Sequence, residues 1–413
     1  MKSPNIAYNP RIDQLRWLAA TIVFLYHFNL EFGLRTGVHL SDPWWGIVTE
    51  GHTGVGLFFT LSGFLFMQIA FEQQRIVYRE FVRNRVLRIF PLFLTIFLLA
   101  TSISRDRYRA QDILYLFASN IGLSPTSDTV VTGAAWTISL EFTFYLMFPF
   151  LARFTLERGA RYLFGLLALM LVMKVAAYSV SGEKTTLMYF STFVGRFDQF
   201  LIGMLAALGY RAWGERLRRA AWALVPLAFA LAVANSALQA RVAPFNPASR
   251  NEFWIIWSLL ESSVWSFVIL AWLSLQRPMP GWLERTLCQG GKISFSFYLL
   301  HMAVLHVLAR GVDRTGIDTH GVIAAAILLA LAYALTWAIA TLSYRTIEEP
   351  FLRMRHRYGL AHGASDRPSE QRAGEFVAGT SSVRTDREPP PAQRAVARAE
   401  PAEEPVVSAD RHT

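Results

Sequence analysis

Apolar residues along this chain gather in long, nearly unbroken runs instead of alternating with polar ones. The runs lie near 15–31, 54–71, 89–104, 134–151, 161–180, 188–210, 220–239, 253–275, 293–310 and 321–344. Each is close to the roughly 20 residues a helix needs to cross a hydrocarbon layer. Backbone groups in lipid must satisfy their own hydrogen bonds, so such runs predict helices. The fold class expected is therefore all-α, a polytopic transmembrane helix bundle of about ten helices.

The connections alternate in charge. Basic segments at 75–88, 153–161, 211–219, 277–292 and 345–357 are separated by connections at 32–53, 105–133, 181–187, 240–252 and 311–320 that carry fewer positive charges. With positive loops inside, this pattern predicts a cytoplasmic N-terminus, and an even helix count returns the C-terminus to the cytoplasm. The first run lacks a small-residue cleavage site behind it and is expected to remain as a mature helix. From 359 onward Ala, Pro, Arg, Glu and Ser replace large apolar residues, a composition that buries no core. The expected organisation is a transmembrane domain over 1–358 and a disordered cytoplasmic tail over 359–413.

Composition sharpens this picture at two points. Of the 413 residues 53% are hydrophobic and 17% charged, which excludes a single soluble domain of ordinary make-up. The net charge of +10 would suit nucleic acid if it formed one stripe, but it sits in loops between apolar runs, so no nucleic-acid partner is expected. One cysteine, Cys288, excludes a disulfide framework and a thiolate zinc site. No resident metal or cofactor is expected.

Ionisable groups at membrane depth are costly and point to function. Arg16 and His27 lie eleven residues apart on the first helix, about three turns and 16 Å, and share a face. An arginine grips phosphate, and an imidazole accepts a hydroxyl proton near neutrality. Arg85 and Arg88 add two cations three residues apart, while Glu141 and His301 interrupt otherwise apolar runs. The plainer reading of each is an interfacial anchor or a helix-packing polar group.

Taken together, these segments resemble the acyltransferase 3 family of membrane acyl transferases over most of residues 11–352. The matching segments are RWLAATIVFLYH from Arg16 to His27, a GVxxFFxLSGF segment at 54–64, and Arg85 and Arg88 before a helix-starting proline, Pro91. Trp136, Ser139 and Glu141 follow, then Ser294, Ser296, Tyr298 and His301, and finally Glu349 and Pro350. The resemblance implies O-acyl transfer, acetyl by default, from acyl-CoA to a hydroxyl of a glycan, exopolysaccharide or lipid-linked sugar at the cell inner membrane. It assigns His27 and Glu141 to catalysis and Arg16, Arg85, Arg88 and His301 to substrate binding. Partners implied are acyl-CoA, the glycan acceptor and membrane lipids, with a homo-oligomer an allowed assembly. Several members carry an extra helix and an extracytoplasmic SGNH hydrolase-like domain that nothing in these residues resembles, so direct delivery or a separate partner is expected.

Other polar residues are placed more loosely. His52 is expected in a solvated outer loop where an acceptor arrives, and Glu31, four residues past His27, is in reach to hold its imidazole, its alternative role being to cap the interface. His306 is expected at the outer interface, and Trp44, Trp45, Trp254 and Trp257 in an aromatic belt. Lys174, Arg196 and Asp198 fall inside predicted spans without an assigned role. Two rival functions share these features: a transporter or flippase for a lipid-linked glycan or organic anion, which would cleave no thioester, and a regulatory membrane protein indifferent to His27.

Overall fold

The computed structural model describes residues 5–103, 130–182, 184–356 and 358, with the backbone alone over 130–135. Every regular element among the described residues is helical. Helix α1 (Pro10–Thr36) is followed by a 3₁₀ turn (Pro43–Trp45), α2 (Gly46–Thr49), α3 (Thr53–Gln73) and α4 (Tyr78–Ile103). Then come α5 (Val130–Arg158), α6 (Ala160–Val180), α7 (Thr185–Ser191), α8 (Phe193–Val242), α9 (Trp254–Ser274), α10 (Gly281–Thr315) and α11 (Val322–Ser343). A π-helical turn (Tyr344–Glu348) and α12 (Glu349–Leu352) close the bundle. The expected tail, 359–413, and most of the connection at 105–133 lie outside the described residues.

Local chemistry sets the ends of α1. The Asn9 side chain accepts from the Arg11 amide at 3.0 Å with Pro10 at the first helical position, a cap that uses a proline where its missing N–H costs nothing. Gly37 ends the helix at φ 69°, a left-handed conformation that glycine adopts freely.

Eight helices among the described residues are long and apolar enough to cross a membrane. One of them departs from the expected pattern. Two spans, 188–210 and 220–239, were expected with a basic loop between them, but α8 is helical throughout its 50 residues. Straight, it would reach about 75 Å, more than two bilayer cores. Yet Gln199 lies against Gly56 and Gln239 lies 3.3 Å from His52, only one turn away at the start of α3. Between them, Arg211 covers the Phe71 ring at the other end of α3 at 4.7 Å, and Phe229 meets Trp272. The run therefore folds back around its charged middle, and its two arms cross the bundle separately. Counting the two arms of α8 separately and adding the 29-residue α5 gives ten segments of spanning length among the described residues. Pro91 is a second correction: it lies inside α4 and does not start it, as neighbouring helices in a bundle permit.

Glycines let α3 and the first arm of α8 meet backbone to backbone. A methyl on Gly63 would overlap the Phe200 carbonyl, and one on Gly203 would overlap the Thr60 carbonyl. Reciprocal small residues of this kind drive helix association in lipid, where apolar surface alone gives no preference.

The connections separate onto two faces. At the proximal face, where α1 begins, Arg11 donates to the Arg277 carbonyl at 2.7 Å and the Tyr358 amide donates to Asn5 Oδ1 at 2.6 Å. At the distal face the Gly321 amide donates to the Thr36 carbonyl at 2.8 Å, and Arg250 donates to the Ser181 carbonyl at 2.9 Å. The basic segments are thus gathered proximally. Trp44 and Trp45 are exposed distally at 70% and 53%, whereas Trp254 and Trp257 are buried. That corrects the belt assignment for the latter pair: they pack with Tyr189 and Ala243 in a core cluster of their own.

Candidate active site

Helices α1, α3, α4, α5 and α10 enclose a cavity whose polar wall is Arg16, Ser62, Arg85, Arg88, Thr137, Glu141, Tyr145, Ser294 and Tyr298 and whose apolar wall includes Phe58, Phe59, Phe66 and Ile138. A second cavity joins it toward the proximal face. The two share Arg16, Arg85 and Arg88, and the outer one adds Tyr8, Asp13, Lys292 and Arg355. The three arginines picked out in the sequence therefore form the neck of one passage.

Each arginine is held differently. Arg16 pairs at 3.4 Å with Asp13, one turn back on α1. Arg85 donates to the Tyr358 hydroxyl and stands among the rings of Phe66, Phe81, Tyr145 and Tyr358, with its guanidinium carbon 5.0 to 5.8 Å from their centres, an arrangement that fixes a planar cation. Arg88 pairs at 3.4 Å with Glu348, whose carboxylate also accepts from Ser296. Glu348 sits on the π-helical turn, a distortion common at functional sites. Its neighbour Glu349 faces Arg353 at 3.0 Å instead. The motif glutamate at 349 is therefore not the one that pairs with a cavity arginine.

Five cations face this passage, and among the described residues only Arg16 and Arg88 have a carboxylate within 4.0 Å. Burial, followed by the charges of Arg88 and Arg85, pushes the Arg355 guanidinium down to about 10. Cations that repel one another without compensation mark a site for a polyanion. Glu141 stands deeper in the same cavity, where it accepts from the Tyr145 hydroxyl one turn on and from Ser62 at 3.4 Å.

The two histidines meet each other. His301 Nε2 lies 3.0 Å from His27 Nδ1, His27 Nδ1 lies 3.0 Å from the Val23 carbonyl, and His301 Nδ1 lies 2.5 Å from the Tyr298 carbonyl. A carbonyl only accepts, so both Nδ1 atoms carry hydrogen. His301 Nε2 then shares the one His27 Nδ1 hydrogen with the Val23 carbonyl, and His27 Nε2 is left with a lone pair and no hydrogen-bond partner among the described residues. Neither ring lines the arginine cavity; Tyr298 stands on its wall, three residues before His301 on α10.

Two expectations about neighbours fail. Glu31 pairs with Arg35 at 3.0 Å and approaches His306 at 3.5 Å, leaving His27 alone. Helix α1 rotates Glu31 toward the exposed seam with α10, where Arg35 also meets Asp313. His52 is not solvated: it is 3% exposed, 3.0 Å from Glu50, and enclosed by Phe190, Phe245 and Trp254.

A separate buried polar cluster joins α6, α8 and α9. Lys174 pairs with Asp198 at 2.5 Å, and Arg196 pairs with Glu261 at 3.1 Å while Gln199 donates to the same carboxylate oxygen at 2.5 Å. Sequence reasoning noted three of these residues and missed Glu261, the counter-ion on α9. It also passed over Tyr145, Tyr298, Lys292, Arg355 and Glu348 as site residues. Their chemistry was visible, but which side of a helix faces the passage was not.

Comparison with known proteins gives this arrangement a context. The family model for the acyltransferase domain matches residues 9–341. The chain belongs to the acyltransferase 3 family. It is 27% identical over 386 residues to acyltransferase MdmB of Streptomyces mycarofaciens, covering 85% of this chain and 93% of that one. It is 25% identical over 233 residues to O-acetyltransferase OatA of Staphylococcus aureus, covering 50% of this chain and 35% of OatA. The chain thus spans about a third of OatA's length. No solved structure matches it. The protein is accordingly an acyl-transferring enzyme with the apolar helices of a multi-pass membrane protein.

Proposed function

We propose that this enzyme is an O-acyltransferase of the inner (plasma) membrane that moves an acyl group, acetyl by default, from acyl-CoA to a hydroxyl of a glycan, exopolysaccharide or lipid-linked sugar. The observation that carries this reading is the proximal passage with five cations at its mouth and neck and an apolar, hydroxyl-bearing interior. A CoA thioester has that polarity: a polyphosphate end, then a thin neutral arm ending in the thioester. With positive loops inside, the mouth opens to the cytoplasm, where acyl-CoA is found.

In this reading Arg16, Arg85 and Arg88 bind the donor phosphates, with Arg355 and Lys292 at the rim. The free Nε2 of His27 takes the proton of the acceptor hydroxyl, and His301 fixes the His27 ring and its tautomer. Glu141 is assigned to catalysis through Tyr145, whose hydroxyl it orients toward the cavity. General-base help supplies about 10² to 10⁴ in rate, and placement of both reactants at the end of the passage supplies much of the rest.

The test is a thioester assay on purified protein in detergent, with labelled acetyl-CoA and with or without an envelope acceptor extract. CoA release that rises with acceptor, and label transferred to it, is the expected result. A flippase would release no CoA. Wild-type protein that neither binds nor cleaves acetyl-CoA overturns the reading.

A further inference from the structure

Acyl transfer leaves negative charge on the thioester carbonyl oxygen, and a group must receive it where the passage ends. We propose that Tyr298 is that group: a catalytic residue whose phenol O–H hydrogen-bonds the thioester carbonyl and the oxyanion that follows. The inference rests on the acyl-CoA reading and adds to it a residue placed on the reacting atoms.

Four observations converge on Tyr298. Its side chain lines the cavity that holds the arginines and Glu141. Its hydroxyl lies 3.0 Å from Thr137 Oγ1, so the phenol already sits in a polar position at the cavity wall. The ring of Phe58, 6.2 Å away edge-on, closes the apolar side. Finally, its main-chain carbonyl holds His301 at 2.5 Å, and His301 holds His27 at 3.0 Å. One turn of α10 therefore carries both the phenol and His301, and His301 in turn meets His27 of α1. The arginines are engaged nearer the mouth: Arg85 is enclosed by four rings with Tyr358, and Arg88 is paired with Glu348. Of the hydroxyls on the cavity wall, Tyr145 and Ser62 donate to Glu141 and Ser294 donates to the Gly291 carbonyl, which leaves Tyr298, its ring centre 5.7 Å from that of His301, with Thr137 beside it.

The step balances as follows. His27 Nε2 takes the acceptor's proton as its oxygen bonds to the carbonyl carbon, and the carbonyl π pair moves onto oxygen, held by Tyr298. When that pair re-forms the double bond, the C–S bond breaks, and the CoA thiolate takes the proton from His27. The products are the O-acyl ester and free CoA.

Tyr298→Phe keeps the ring and removes the donor. Loss of one such hydrogen bond costs about 10² to 10³ in kcat, with KM for acetyl-CoA expected within about threefold of wild type. A non-cleavable ketone analogue of acetyl-CoA, labelled with ¹³C at its carbonyl, gives a second readout. Its resonance should move downfield on binding wild-type protein and stay near the free value on Tyr298→Phe. If Tyr298 is only a strut to Thr137, then Thr137→Val should lose as much activity as Tyr298→Phe, and the carbonyl shift should persist in both; that result overturns the proposal. Analogue bound by wild type with no shift also overturns it while leaving the donor reading intact, whereas no binding by wild type defeats the donor reading itself.

Discussion

His27 gains its chemistry from two atoms it touches. The Val23 carbonyl and His301 Nε2 both face His27 Nδ1, which commits the proton to that side and leaves Nε2 as the base. His27→Gln keeps a hydrogen-bonding side chain that accepts no proton at neutral pH. It should lower transfer by about 10² or more with donor affinity near wild type, measured by single-turnover assay and by CoA binding. Turnover like the wild type's would remove His27 from the mechanism. Arg85 is predicted to behave in the opposite way. Charge-assisted hydrogen bonds contribute about 1.5–3 kcal/mol, so Arg85→Ala should weaken acyl-CoA binding roughly 10- to 100-fold and change the rate of bound donor far less. Arg85→Lys should restore only part of the affinity, because an ammonium lacks the planar fork that stacks among four rings.

At the scale of elements, the buried ion pairs join α6, α8 and α9. Arg196 and Glu261 are both 0% exposed, and removing one partner strands the other charge in a dry core. Arg196→Leu should therefore cost about 3–5 kcal/mol, while the double change Arg196→Leu with Glu261→Leu should cost clearly less. Thermal unfolding in detergent reads both, and a double variant no better than the single would show that the pair does not couple these helices. The crossing of α3 with α8 is equally specific. Gly63→Leu would force the two backbones apart, an overpacking cost of about 1–3 kcal/mol or more, seen as a lower melting temperature and poorer yield of monodisperse protein.

The whole molecule sorts its connections by charge, and its topology follows from that. A reporter fused after Tyr358 should stay cytoplasmic, and one inserted near Ser181 should report the opposite side. Alkaline phosphatase activity from the fusion at Tyr358 would overturn the ten-crossing arrangement. Deletion of 365–413 should leave transfer largely intact, because a segment without large apolar residues contributes little to a bundle core. Complete loss of activity in correctly inserted protein would assign that segment a function.

The sequence by itself determined the helical class, the approximate spans and the alternation of basic connections, since lipid admits few other backbones and charge sorts the loops. It also showed which residues carry chemistry: the Arg16, Arg85 and Arg88 set, Glu141 and the two histidines are legible as ionisable groups in apolar runs. Which of them meet was decided only by tertiary structure. His27 and His301 are 274 residues apart in the chain, Glu348 and not Glu349 reaches Arg88, and Glu31 turns away to Arg35. The two arms of α8 were legible as separate runs, but the helix that continues through their basic turn and the burial of His52, Trp254 and Trp257 were hidden for the same reason. A run that is apolar on every side carries no preferred face, so its rotation is set by the neighbours that pack against it, and with that rotation the partner of every polar side chain it bears.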